Sequence, residues 1–378
     1  MTQMVGLEVV LAQDAPIPLA ASFDCGPGET MALVGPSGSG KTTILRSIAG
    51  TYRPATGRVA VNGETWFDTA RDLRLASHRR AAGMVFQSYA LFPHMTALAN
   101  VTAAMEHLPA RKRPARAREI LDLVHLAGLE ERYPAELSGG QQQRVAVARA
   151  LAREPRVLLL DEPFSAVDRA TRQRLYREIA ELRRGLSMPV VLVTHDLEEA
   201  TMLADRLAVL HRGRILQTGT PEEVTTRPAS PEVARLIDMR NVFEATVLGH
   251  EADRTWLDWA GTRLEAATRP DLAPGVRVPW AIPDGFVILH RRDRPSRGEH
   301  ENPVRGTIGS MLVIGQTAHL TLRPDADPRL PIHFSVPRHV AARNGIAPGI
   351  AAAVSFLAAG IHVMSGAAGH SRDNAGKL

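Results

Sequence analysis

From Thr30 to Gly50 the chain reads as an apolar strand, a glycine-rich loop and a helix, and few stretches restrict a fold so tightly. Gly35-Pro36-Ser37-Gly38-Ser39-Gly40-Lys41-Thr42 fits the pattern G-x-x-x-x-G-K-[ST]. Thr30-Met31-Ala32-Leu33-Val34 is a short buried strand entering the loop, and Thr43-Ile44-Leu45-Arg46-Ser47-Ile48-Ala49 is a helix leaving it, ended by Gly50. The glycines let backbone N–H groups turn inward onto a polyphosphate, and the helix N-terminus adds its partial positive charge. Lys41 would reach the outer phosphates, and the Thr42 hydroxyl would ligate Mg²⁺. The loop with Thr43 therefore reads as a nucleotide site.

Composition bounds what surrounds it. A length of 378 residues allows two or three domains, and 44% hydrophobic with 22% charged residues fits folded, soluble chain. The net charge of +5 comes from 45 basic residues scattered among 40 acids, which gives no evidence for a nucleic-acid partner. Cys25 is the only cysteine, so no intrachain disulfide or cysteine metal site can form, as suits a reducing cytoplasm. The N-terminus lacks a basic-then-apolar export pattern. Residues 345–369 carry no Asp, Glu, Lys or Arg, but Pro348, Gly349, Gly360 and Gly366 favour two short strands with a turn over a membrane span.

Further strands are expected around Val9-Val10-Leu11, at Gly57–Val61 running into an Asn62-Gly63 turn, and at Ala82–Phe86 ending at Gln87. A more helical stretch runs from about Leu98 to Leu126. Its basic residues from Arg111 to Arg118 are a solvated helix entry or a face toward lipid or a partner. Leu137-Ser138-Gly139-Gly140-Gln141 then opens a helix and presents a second set of free N–H groups to an anion. Val157-Leu158-Leu159-Leu160-Asp161-Glu162 is a buried strand ending in two acids. There Asp161 would hold Mg²⁺ and Glu162 could orient and deprotonate an attacking water. Val190–Thr194 is another buried strand, ending at His195.

With these residues in order, the chain resembles the ATP-binding cassette (ABC) ATPases that drive membrane transporters. The phosphate loop, Gln87, the LSGGQ segment, Asp161-Glu162, Ser165-Ala166-Val167-Asp168 and His195 carry the resemblance, over roughly residues 5–235. It implies an α/β P-loop cassette with a helical subdomain at about 88–155, within residues 1–235. It also implies ATP and Mg²⁺ as ligands, with Thr42, Gln87 and Asp161 at the metal and Glu162, His195 and Gln87 at the chemistry. Residues 165–168 would form the loop that links two copies. One copy cannot aim both anion-binding helix starts at one nucleotide, so a head-to-tail homodimer is expected, with Ser138, Gly139 and Gly140 of one copy facing ATP on the other. Integral-membrane permease subunits would dock near residues 87–93, served indirectly by an extracytoplasmic solute-binding protein. The ATPase would lie peripherally on the cytoplasmic face of the cell membrane. Two departures stand out: residues 1–22 contain no aromatic to stack on adenine, and Val167 replaces the commoner Leu.

Past Gly219 the character changes. Thr220-Pro221-Glu222-Glu223 caps a helix, and Pro228, Ser230 and Pro231 mark a connector. Short strands come next, with an internal echo. Asn241 with Thr246-Val247 recurs as Asn302 with Thr307-Ile308, and Leu272–Val276 recurs as Ile346–Ile350. Residues 236–292 and 302–366 therefore read as two small OB-like β-barrels, joined by a polar linker and followed by a tail at 367–378. Such a tandem resembles the TOBE-type regulatory domains of importers for oxyanions, metals, sugars and polyamines. The doubled barrel and the missing adenine aromatic favour the molybdate/tungstate branch, with an oxyanion ligand in the tail. Sulfate/thiosulfate, Fe(3+) and polyamine import are the alternatives. The tail could equally be a dimeriser that senses nothing.

A different class is a soluble cassette ATPase acting on nucleic acid or the ribosome. Those proteins usually carry coiled-coil or zinc insertions, or two cassettes, whereas this chain has one phosphate loop, no heptad run and one cysteine.

Overall fold

The computed structural model describes residues 6–165, 169–291 and 300–364. The chain divides into two compact units, Met1–Pro221 and Glu222–Leu378.

The first unit is built on a mixed eleven-stranded sheet. One end of it is parallel: Arg206–His211, Thr30–Val34, Val190–Thr194, Val157–Asp161 and Ala82–Val85 lie side by side in that order, the last at the edge. Three of these strands, Thr30–Val34, Val157–Asp161 and Val190–Thr194, are buried at every position, as strands covered on both faces must be. The antiparallel flank differs. Leu7–Gln13 and Leu19–Cys25 alternate buried and exposed residues, because one of their faces meets water. Thr56–Val61 and Glu64–Asp68 form a hairpin whose turn residues Asn62 and Gly63 both take positive φ, 48° and 79°.

The helix after the phosphate loop spans Lys41–Ala49, starting two residues earlier than its apolar pattern indicates. Its far end is held by a buried cation. Arg80, 2% exposed, donates to the carbonyls of Ser47 and Ile48 at 2.8 and 2.7 Å, and to Leu75 and Trp66 at 3.0 and 3.3 Å. Burial, followed by the neighbouring Arg74, pushes its guanidinium down to about 10, still charged at neutral pH. Replacing Arg80 with Ala would strand these carbonyls. The expected loss is about 3 kcal/mol, or on the order of 10 °C in Tm. A calorimetric scan showing a shift under ~2 °C would contradict the role.

The helical subdomain holds Ala97–Thr102, Arg113–Leu123 and Gly139–Leu151. Fully buried Asn100 organises its entrance, accepting from Phe92 N–H and donating to the carbonyls of Phe92, Met95 and Thr96.

The second unit is all β apart from short helices. Its two five-stranded, barrel-like sheets repeat one plan. Val242–Glu251, Arg254–Trp259, Thr262–Ala267 and Arg277–Ala281 form the first, and Glu301–Ile314, Thr317–Pro324, Ile332–Pro337 and Ala351–Leu357 the second. The echo seen in the sequence has a physical basis. Asn241 brackets the backbone of His333 with two hydrogen bonds of 2.6 and 2.7 Å. Asn302 brackets Glu265 in the same way at 2.6 and 3.0 Å, so each copy clamps the third strand of the other. Each copy also lends its last strand. Val287–Leu289 pairs in the second sheet and His362–Val363 in the first. Both copies share one core, centred on Phe243, Trp259, Trp280 and Phe356, whose ring centroids lie 5.0–5.7 Å apart. The uncharged stretch past Gly345 is the strand Ala351–Leu357 and the short strand His362–Val363. Among the described residues no helix is long and apolar enough to cross a membrane.

Candidate active site

Strand register explains why distant motifs meet. Val34 lies opposite Thr194, Asp161 opposite Val193, and Val85 opposite Leu160. All four strands are parallel, so the residues just beyond each strand emerge at a single carboxyl edge of the sheet, where such sheets place ligands. Those four continuations are the phosphate loop, His195, Glu162 and Gln87.

The loop is shaped for a phosphate chain. Gly40 sits at φ 101°, and a Cβ on Gly35 would lie 2.0 Å from the Leu210 carbonyl oxygen, so both positions require glycine. Pro36, Ser37 and Gly38 are exposed. Ser39 is buried, and its Oγ has no hydrogen-bond partner among the described residues. Lys41 is buried too. Its ammonium donates to the carbonyls of Gly35 and Pro36 at 2.7 and 3.0 Å, and burial holds its pKa below the ordinary lysine value. The cradle, the orphaned Ser39 hydroxyl and a cation resting on loop carbonyls all suit a polyanion. Half-buried Thr43 sits one residue further along the helix.

Beside the loop, the Thr42 hydroxyl donates to Asp161 Oδ1 at 3.0 Å. Burial raises the Asp161 pKa, the Thr42 hydrogen bond opposes the rise, and Glu162 adds to it. A hydroxyl joined to a carboxylate is a hard oxygen pair of the kind Mg²⁺ takes alongside phosphate oxygens.

Glu162 is where the edge converges. One of its oxygens, Oε2, lies 3.3 Å from Gln87 Nε2 and 3.3 Å from His195 Nδ1. Its backbone takes φ +43°, uncommon for a residue with a side chain, and holds it through Glu162 N–H to Val193 O at 2.9 Å. Ser165 adds Oγ and N–H bonds to Glu162 O at 2.9 and 3.2 Å. The loop after Gln87 is pinned as well. Tyr89 and Ala90 take φ 60° and 48°, and Arg149 donates to their carbonyls at 2.9 and 2.7 Å. Because Arg149 belongs to the helix Gly139–Leu151, that helix and the Gln87 loop are braced together.

The Leu137–Gln141 segment stands apart from the cluster. Ser138 caps the helix by accepting from Gln141 N–H at 3.3 Å, and Gln141 Oε1 accepts from Ser138 N–H at 2.8 Å. Leu137 and Gly140 are buried, whereas Ser138 is exposed at the helix start. Ala166, Val167 and Asp168 lie outside the described residues.

Two parts of the site were not read from the sequence. Arg149 gives no local signal, since a basic residue in a helix is ordinary. Glu199 does give one: Asp196 with Glu199 three residues later is a capping-box spacing. Asp196 does cap the helix Leu197–Leu203, but Glu199 turns inward and is 4% exposed.

A family model described as ABC transporter matches residues 20–165. An Fe(3+) ions import ATP-binding protein of Rhizobium etli is 42% identical, covering 81% of this chain and 88% of the relative. A sulfate/thiosulfate import ATP-binding protein of Chromobacterium violaceum is 39% identical, covering 92% and 91%. Among solved structures, cbiO1 of Clostridium perfringens, part of the ABC transporter complex cbiONQ, is 26% identical with a TM-score of 0.52, covering 62% of this chain and 94% of that one. The chain belongs to the ABC transporter family, as an ATP-binding subunit that hydrolyses ATP to power import.

Proposed function

We propose that the subunit energises import of Fe(3+) or sulfate/thiosulfate, hydrolysing ATP at a site completed by a second copy of itself. The convergence of Gln87 and His195 on one oxygen of Glu162, beside the Thr42–Asp161 pair, carries the reading. Gly35 to Thr43 cradle the phosphates, with Lys41 moving from the loop carbonyls onto them. Thr42, Asp161 and Gln87 would hold Mg²⁺, which would supply charge neutralisation to the phosphates. Glu162 takes the proton of the attacking water while His195 and Gln87 fix its carboxylate. Ser138, Gly139 and Gly140, unused within one copy, face the phosphates bound by the partner, and residues 165–168 line that junction. Exposed Phe86 and Phe92 flank the Gln87 loop and offer apolar footing to a permease at the cytoplasmic face of the membrane, supplied by a solute-binding protein outside.

The duplicated β unit is read as a TOBE-type regulatory domain. The solutes named for the relatives favour Fe(3+) and sulfate/thiosulfate over the molybdate suggested by the tail and the missing aromatic. Uptake of labelled Fe(3+), sulfate, thiosulfate and molybdate by cells lacking the chain tests the choice. Loss of Fe(3+) or sulfate/thiosulfate uptake is expected, and loss of molybdate uptake alone would overturn it.

A further inference from the structure

We propose that Glu199 is a positioning residue for ATP hydrolysis, acting through Thr194 to fix the turn that aims His195 at Glu162. The inference rests on the proposed roles of Glu162 and His195 in that hydrolysis. The Thr194 hydroxyl, 1% exposed, donates to Glu199 Oε2 at 2.8 Å and accepts from Asp196 N–H at 3.0 Å. Asp196 Oδ1 in turn accepts from the N–H groups of Glu198 and Glu199 at 2.9 and 3.2 Å. Residues 194, 196 and 199 thus close a ring of hydrogen bonds around His195, whose own side chain stays 58% exposed and reaches Glu162 at 3.3 Å. A catalytic group so exposed has little packing to orient it, so its aim depends on the turn beneath it.

Glu199 is an unusual choice for a purely structural brace. Its second oxygen, Oε1, is buried with no hydrogen-bond partner among the described residues. The groups facing it are Tyr176 and Arg172 from the helix Arg169–Arg184, Glu162 beyond the neighbouring strand, and Asp196 of its own turn. Burial pushes its carboxyl up to about 8; the Thr194 hydroxyl pulls the other way and Asp196 reinforces the rise. The folded protein therefore keeps this proton up to about pH 8, whereas an unfolded chain loses it near 4.5. Between those values the unfolded state binds fewer protons, so this group makes stability fall as pH rises. Above the upper value a carboxylate would be left facing Asp196 and Glu162, and the turn would loosen.

The test is steady-state ATPase of the full chain with Thr194→Val, Glu199→Ala, Glu199→Gln and His195→Ala, and with Glu199→Ala added to His195→Ala. Thr194→Val keeps the buried shape and removes only the hydroxyl, so it stands in should Glu199→Ala fold poorly. Expected results are a kcat loss of about tenfold for Thr194→Val and Glu199→Ala with KM for ATP nearly unchanged, and no further loss on top of His195→Ala. Glu199→Gln, which still accepts from Thr194, should recover most of kcat and lose the alkaline decline of the parental pH profile. Undiminished kcat in Thr194→Val and Glu199→Ala, or a loss that simply multiplies with that of His195→Ala, overturns the proposal. If His195→Ala itself turns over ATP at the parental rate, the failure lies in the His195 role beneath it.

Discussion

Replacing Glu162 with Gln should lower ATP turnover by about two to four orders of magnitude while leaving ATP·Mg²⁺ binding intact. Gln matches Glu in size and, as another non-glycine side chain, tolerates φ +43° about equally, so the loop should persist. Its amide can still meet Gln87 and His195, now 3.3 Å from the carboxylate. What it cannot do is take a proton from water. The separation from Asp161 matters here. Asp161 is the acid bonded to the Thr42 hydroxyl, so the proposed metal contacts would stay in place when Glu162 changes. Phosphate release and filter binding of labelled ATP, run together, separate the two roles. Turnover within about threefold of the parent would remove Glu162 as the base. Lost ATP·Mg²⁺ affinity would make it a metal ligand instead.

Replacing Lys41 with Ala should weaken ATP binding by about two orders of magnitude, the worth of a buried charge-assisted bond to phosphate. The free protein should be little affected. Its lysine lies buried against two carbonyls with a lowered pKa, and removing a costly buried cation relieves desolvation as it removes those bonds. The combination is diagnostic: an unchanged melting temperature without nucleotide, and a much smaller rise when ATP is added. A variant that still gains the full parental rise with ATP would contradict the phosphate-loop assignment.

Much of the cassette is legible in the chain because its strands are continuous apolar runs and its motifs sit at their ends. Val157–Asp161 leading to Glu162, and Val190–Thr194 leading to His195, read directly as buried strands delivering polar groups to one edge. The order of the strands is not legible. Nothing local says that Ala82–Val85 lies beside Val157–Asp161, yet that pairing brings Gln87 to Glu162. Buried polar residues are hardest to foresee, since Arg80 and Glu199 belong to types usually met at the surface. In the second unit the repeat can be seen, but not the exchange of Val287–Leu289 and His362–Val363 between the sheets, because a short strand carries no mark of its partner. The preference for molybdate rests on architecture that several importer groups share. In the proposed importer, solute choice would fall to the permease and binding protein, so residues of this chain would constrain it weakly.

In the proposed two-copy site, the catalytic edge of one copy would meet the LSGGQ helix start of another. Ser37 and Ser138 are exposed, one on the phosphate loop and one at the helix cap. The native Cys25 is buried, with its thiol pushed up to about 12 chiefly by burial, so it stays silent toward thiol reagents. Two Glu162→Gln preparations, one carrying Ser37→Cys and the other Ser138→Cys, can be mixed and treated with a short bifunctional maleimide. A covalent dimer joining the two kinds of chain, formed with ATP and Mg²⁺ and absent without them, is the predicted result. Equal cross-linking with and without nucleotide, or none while ATP is demonstrably bound, would contradict the two-copy site.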